Sequence, residues 1–417
     1  MSKNLSSRRE TYETAIILAI GVLLAGLLRF SLREFRSGDY WSFTSHWYAF
    51  VNQQGGFAAL AHDFTNYSPF YSYFLVIAAA LFSGLSDVFA IKLISIVFDF
   101  VCAGFVYKIV RLKYPVGVLP VFGFLTVLFA PTVFLNSSLW GQTDVIYTTG
   151  LVACLYFLLV KKEIPAFIAF GLAVSFKMQA IFLGPLLLIL LLKRRVSWKS
   201  FALVPFTYLA VMLPAWLAGR PLNELLFVYL NQANFYRDLT KNAPNLYQWI
   251  PNDLYDIFYP AGLIWTLSIV FLLALGVYKS RAAISPAIMV QLATVSVVLM
   301  PYFLPKMHER YFFAADVLSI VFAFYYPRYF FIPLVVGGVS LFSYFPFLFG
   351  QEVIPLSSLA LILAVTIVFL VRHLAHALDR TDLYPESVLS LAQTPSEEIV
   401  PQQQSGARGI SLRSRDN

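Results

Sequence analysis

The sequence predicts an all-α fold, a polytopic transmembrane bundle of about 10–13 hydrophobic helices. Three observations carry this. The chain has 417 residues, of which 59% are hydrophobic, and its mean hydropathy is +0.72. Only 12% are charged, about half the share of a soluble domain. The apolar residues come in long runs without the polar–apolar alternation of a membrane barrel.

The candidate segments, in order, are roughly 14–30, 70–83, 88–108, 116–134, 144–160, 164–176, 180–192, 199–218, 260–278, 284–303, 311–326, 328–348 and 355–373. Ala15–Phe30 reads as an uncleaved first span, because no small-residue cleavage site precedes Asp39. Segments 164–176 and 180–192 are short and flank Ser175–Gln179, so they predict a hairpin with Lys177 at its tip. A turn below the membrane surface is tolerated where it is buried in protein or faces a wet cavity.

Lys and Arg near the segment ends set the orientation. Arg8 and Arg9 place the N-terminus in the cytoplasm. The clusters at Lys108–Lys113, Lys161–Lys162, Lys193–Arg195, Lys279–Arg281, Arg328 and Arg372 join them only if segment 70–83 does not cross. At about 21 Å of helix, that segment is shorter than the hydrocarbon layer. The expected organisation is one transmembrane domain, 1–379, with external loops 31–69 and 219–259. A polar, disordered cytoplasmic tail is expected over 380–417. The location is an integral membrane, the plasma (inner) membrane of a bacterium or the endoplasmic reticulum of a eukaryote.

The net charge of +8 follows the positive-inside pattern, which excludes nucleic acid as the partner. Cys102 and Cys154 sit in apolar runs and read as small buried hydrophobes. The chain contains no Gly-rich nucleotide loop and no metal cluster of usable spacing. His46 and His62 read as interfacial packing.

With this topology the polar motifs gather on the external side. The first loop carries Asp39, Asp63, Tyr40 and Tyr67-Ser68-Pro69. Trp140-Gly141-Gln142-Thr143-Asp144 opens a span. Lys177 and Gln179 lie at the hairpin tip, and His308-Glu309-Arg310 follows another span. Each has a plainer explanation. Asp144 could cap a helix N-terminus, Lys177 could snorkel to the headgroups, and residues 308–310 could form an ion-pair cluster. Asp99, near the middle of segment 88–108, reads as packing against a polar partner in the bundle. The sequons at Asn136 and Asn66 read as chance.

Convergence on one face points to transfer chemistry. A sugar leaving a lipid-linked phosphate needs a carboxylate to take the acceptor proton. It also needs cations to stabilise the departing phosphate. Asp39 or Asp63 supplies the first; Arg310, His308 and Lys177 supply the second. Tyr40, Tyr67, Trp140, Gln142, Asp144, Gln179 and Glu309 are candidate substrate-binding or supporting residues.

At these residues the chain resembles the GT-C superfamily of integral-membrane glycosyltransferases, in particular the GPI-type mannosyltransferases and their bacterial relatives. The resemblance rests on Gly38-Asp39-Tyr40, Asn66-Tyr67-Ser68-Pro69-Phe70-Tyr71 and Trp140-Gly141-Gln142-Thr143-Asp144. It also rests on Lys177-Met178-Gln179-Ala180 and Leu304-Pro305-Lys306-Met307-His308-Glu309-Arg310-Tyr311. It implies an inverting transfer, without nucleotide, from a polyprenyl- or dolichyl-phosphate carrier; the expected sugar is a mannose-like hexose, and no metal or other cofactor is expected. The acceptor would be a glycan, lipid or protein hydroxyl. The first-loop base of that superfamily maps to Asp39; the adjacent acidic pair usual there is missing, which leaves Asp63 as the alternative. The competing class is a secondary transporter or lipid-handling membrane protein, whose key polar groups would lie near the midplane.

Overall fold

The computed structural model describes residues 2–233 and 236–382, without the side chains of 2–11, 231–233 and 380–382. The side chains of Arg8 and Arg9 lie outside this description, as does the expected tail 380–417 apart from 380–382, which end the last helix.

The helices are α1 (Ser2–Leu32), α2 (Ser45–Gln53), α3 (Pro69–Leu81), α4 (Asp87–Lys113), α5 (Leu119–Phe129) and α6 (Pro131–Phe134). They continue as α7 (Asp144–Leu159), α8 (Glu163–Phe176), α9 (Gly184–Leu192), α10 (Leu203–Leu217) and α11 (Leu222–Ala233). The last are α12 (Tyr255–Lys279), α13 (Pro286–Phe303), α14 (Phe313–Tyr325), α15 (Phe331–Phe349) and α16 (Leu356–Asp382). Among the described residues, sheet is limited to β1 (Thr240–Lys241) beside β2 (Met307–His308).

Their ends follow local chemistry. Proline stands in the first turn of α3, α5, α6, α9 and α13, where its missing N–H costs nothing. Ser285 caps α13 by accepting the Ile288 N–H at 3.3 Å. Helix α4 opens on Asp87 and closes on Arg111 and Lys113, matching its dipole.

Among the described residues, seven helices are long and apolar enough to cross a membrane. A bent pair, Leu119–Phe129 with Pro131–Trp140, would make an eighth, and four shorter apolar helices join them. Together these fall within the expected range. The 49° bend lies at Ala130–Pro131, where Pro131 cannot donate to the preceding turn and forces Ala130 into extended backbone. The second long loop, 219–259, contains helix α11.

Side-chain contacts define two ends of the bundle. At one end Lys113 Nζ donates to Tyr325 O at 2.5 Å and Lys193 Nζ to Ser280 O at 2.5 Å. These are basic groups at the ends of α4 and α9. At the other end the first loop meets the starts of α4 and α7. Helix α3 belongs wholly to this second end. On its N-terminal flank Ser68 Oγ donates to Ser175 O at 2.6 Å. Beyond its C-terminus Ser86 Oγ donates to both carboxylate oxygens of Glu34 at 3.0 Å. A helix of 13 residues that leaves from and returns to one end accounts for the charge parity.

In the interior, α7 and α8 approach closely. A Cβ on Gly150 would lie 2.8 Å from Ala173 Cβ and 2.9 Å from Ala169 O, so small residues set this contact. Asp99 finds a polar partner: Arg29 Nε donates to its Oδ2 at 2.8 Å. Both side chains are sealed, at 1% and 0% exposure.

Candidate active site

The site is built at the end that holds α3. Asp39 directly precedes a π-helical turn, Tyr40–Thr44, and is half-buried. Its Oδ2 accepts the Trp140 indole N–H at 2.9 Å and the Gln142 amide at 2.5 Å. Ser37 Oγ, two residues upstream, donates to Trp140 O at 2.8 Å. The first loop is therefore pinned to 140–142 around Asp39.

Trp140 ends a second π-helical turn, Leu135–Trp140. Such turns insert an extra residue into a helix and are frequent at functional sites. This one stops on Gly141, at φ +80°, where a Cβ would meet the Lys92 side chain at 3.4 Å. Glycine takes that left-handed φ at no steric cost. Lys92 Nζ donates to Phe35 O at 2.6 Å and Arg33 O at 3.2 Å. It thereby holds the segment that leads from α1 to Asp39.

A second group centres on Asp144, in the first turn of α7 and fully buried. Asn136 Nδ2 donates to its Oδ2 at 3.0 Å, and Lys177 donates to its Oδ1. Arg310 Nε stands 3.7 Å from Oδ2. One carboxylate thus anchors both cations. The Arg310 guanidinium lies 5.5 Å from the Trp140 ring centroid, which joins the Asp144 group to the Asp39 group. Arg310 Nη1 also donates to Glu309 Oε1 at 3.2 Å. Buried Arg310 Nε has no hydrogen-bond acceptor among the described residues.

Lys177 occupies the hairpin tip as expected. The chain leaves helix α8 there in extended backbone, φ −152° and ψ 131°. Its Nζ lies 5.5 Å from the Tyr67 ring and 5.8 Å from the Tyr311 ring. Gln179 follows, half-buried in the turn Met178–Leu183. Tyr67 packs between Trp47 and Tyr71, at 5.8 and 5.0 Å between centroids. Tyr40 is buried beside Trp41.

The 308–310 segment is set by β2, which pairs Met307 and His308 with Thr240 and Lys241 of the second long loop. Lys306 N donates to Leu239 O at 2.7 Å, extending the clamp. Burial, reinforced by Arg310, Lys241 and Lys177, holds the His308 imidazole well below its ordinary range. It is therefore neutral at pH 7. Burial pushes the Glu309 carboxyl up to about 7, against the pull of Arg310.

The structure brings together Asp39, Trp140, Gln142, Asp144, Lys177, Tyr67, His308, Glu309 and Arg310. It places Asp63 elsewhere. Asp63 pairs with Arg220, which is buried and also faces Glu224 at 3.6 Å, in a strut between the first loop and the start of α11. His62 packs edge-on against Phe50 at 5.8 Å. Sequence reasoning missed Asn136, Ser37 and Lys92. Asn136 stood in an apparent sequon; it is fully buried and holds Asp144.

Comparison with known proteins now adds to this geometry. The profile of the dolichyl-phosphate-mannose-protein mannosyltransferase family matches residues 66–218. A search of curated proteins gives no match. Among solved structures, the chain is similar to ArnT from Cupriavidus metallidurans bound to undecaprenyl phosphate. The TM-score is 0.55 at 16% identity, covering 89% of this chain and 74% of that one. The chain has a GT-C fold. Within this fold the matched stretch holds Tyr67, Trp140, Gln142, Asp144, Lys177 and Gln179. Asp39 and residues 308–310 lie outside it, and the GT-C fold carries them to the same place.

Proposed function

We propose that the chain is an integral-membrane glycosyltransferase. It moves a sugar from a polyprenyl-phosphate donor to an acceptor hydroxyl at the end of the bundle that carries Asp39, the expected external face. One observation carries the reading: Trp140 binds the acid Asp39 and lies 5.5 Å from Arg310, one of the two cations held on the buried Asp144.

Both hydrogen bonds to Asp39 fall on Oδ2, which fixes the carboxylate plane and leaves Oδ1 to take a proton. The acceptor O–H gives its proton to Oδ1 while its oxygen attacks the anomeric carbon. The bond from that carbon to the phosphate oxygen breaks, and the polyprenyl phosphate departs with the electron pair. A single displacement inverts the anomeric centre. Arg310 and Lys177 stabilise the leaving phosphate; Arg310 Nε, ion-paired with Asp144 but without a hydrogen bond among the described residues, is the donor an anionic oxygen would satisfy. Neutral His308 serves as a hydrogen-bonding group rather than a cation. The chain's own cations meet the charge, so the transfer is proposed to run without metal or other cofactor. The sugar is a mannose-like hexose, consistent with the matched family's description, and the ArnT likeness supports a polyprenyl carrier.

The transporter alternative requires accessible polar groups near mid-depth. The buried charged pair inside the bundle, Arg29 and Asp99, is sealed from solvent and joined at 2.8 Å. The test is a transfer assay in membranes with a panel of radiolabelled polyprenyl-phosphate sugars. Label passing into an acceptor fraction, unaffected by chelator, supports the proposal. No transfer from any donor in the panel would contradict it.

A further inference from the structure

The Leu135–Trp140 turn touches both halves of the site, and its own anchor lies within the bundle. Asn136 holds Asp144. Trp140 holds Asp39. Between them, Ser137 Oγ donates to Asp99 Oδ2 at 2.6 Å. Asp99 and Ser137 are fully buried and Arg29 is almost so.

Arg29 does more than neutralise Asp99. Its Nη2 donates to Leu128 O at 3.0 Å and its Nη1 to Ala25 O at 3.2 Å. Leu128 lies just before the Ala130–Pro131 break, where the bend opens the helical ladder. One guanidinium thus ties together α1, the broken helix and, through Asp99, helix α4 and the π-helical turn. A charged pair is costly in a membrane and is retained where it has a task. Here its bonds end on the turn that orients both site carboxylates.

We propose that Arg29, Asp99 and Ser137 are positioning residues for the transfer site. They touch no substrate. They fix the π-helical turn, and through Asn136 and Trp140 they fix the separation of the proton acceptor from the phosphate-binding cations. The role in catalysis rests on the transfer reading above; the anchoring of the turn does not. Small misplacements of a reacting group cost rate steeply, about 100-fold for an ångström.

The experiment uses full-length protein labelled with 5-fluorotryptophan, with the Trp140 resonance assigned by its loss in Trp140→Phe. Two variants are compared with wild type, Asp99→Asn and Ser137→Ala. Ser137→Ala leaves the Arg29–Asp99 pair intact, so it decides the matter if Asp99→Asn does not fold. The expected result is a shifted or broadened Trp140 resonance, with that of the exposed Trp265 on α12 unchanged. The transfer kcat should fall by about tenfold or more in protein that melts as a folded species. A wild-type Trp140 resonance in Ser137→Ala overturns the proposal, whether or not the rate falls. If the resonance moves while wild type itself transfers no sugar, the anchoring stands and the transfer reading is what fails.

Discussion

Trp140 donates its indole N–H to the carboxylate of Asp39 at 2.9 Å, across 101 residues of chain. The same ring stacks on Phe347 with centroids 4.9 Å apart and meets Tyr344 edge-on at 5.2 Å. An acid on a connecting loop is thereby fixed to a ring packed against α15. A group that must meet a substrate hydroxyl in one orientation needs that rigidity.

Trp140→Phe keeps the packing and removes only the N–H. A hydrogen bond to a charged group is worth about 1.5–3 kcal/mol, which corresponds to a rate loss of roughly 10- to 100-fold if it acts in the transition state. Steady-state transfer kinetics on quantified folded protein check this. An unchanged kcat would detach Trp140 from the function of Asp39.

Arg310→Lys keeps the charge and loses the planar fork; Arg310→Ala loses both. Donor KM is expected to rise in Lys and further in Ala, because the contact at stake is a charge-assisted bond to phosphate. Donor saturation identical to wild type in Arg310→Ala would remove Arg310 from the phosphate site.

Glu309 gives the pH dependence. Burial, opposed by Arg310, raises its carboxyl to about 7, so it is protonated below that pH and competes as an anion for Arg310 above it. The donor phosphodiester does not titrate in this range. Donor KM is therefore expected to rise as pH passes upward through 7, and Glu309→Gln should flatten that rise. The stability linkage has the same direction: a raised carboxyl favours the folded state most below its ordinary value and loses that contribution as pH climbs to about 7. Measuring donor KM and thermal unfolding from pH 5 to 8 tests both.

Arg29→Leu leaves Asp99 buried without its cation. Removing one partner of a buried pair costs about 3–5 kcal/mol. The double substitution Arg29→Leu with Asp99→Leu should recover most of that loss, since two apolar side chains leave no unpaired charge. Thermal unfolding in detergent reads the difference; a double variant no more stable than the single would contradict the paired account.

Much of this was legible in the sequence because its signals are local. Apolar runs give the spans, and Lys and Arg at their ends give a parity that picks out α3 as a helix that returns to its own side. The bend at Ala130–Pro131 falls inside the segment 116–134, which the sequence reads as one run. The gathering of residues 39, 140–144, 177 and 308–310 followed from orientation alone. What was hidden depends on contacts across the bundle. Asp63 and Asp39 share a loop and a chemistry, and only the reach of Arg220 separates them. Asn136 reads as a surface sequon until the turn buries it against Asp144. Arg29 and Asp99 lie on separate helices, and no spacing rule pairs them.

The central claim is that Asp39 takes the acceptor proton. Asparagine has nearly the same shape and cannot take a proton at neutral pH. The direct measurement compares transfer rates of wild type, Asp39→Asn and Asp63→Asn, each with its folded amount and donor binding determined. The account predicts that Asp39→Asn folds and binds donor but loses about 10²–10⁴-fold in rate, while Asp63→Asn keeps most of its rate per folded molecule. Abolished transfer in Asp63→Asn beside near-wild-type transfer in Asp39→Asn would contradict it.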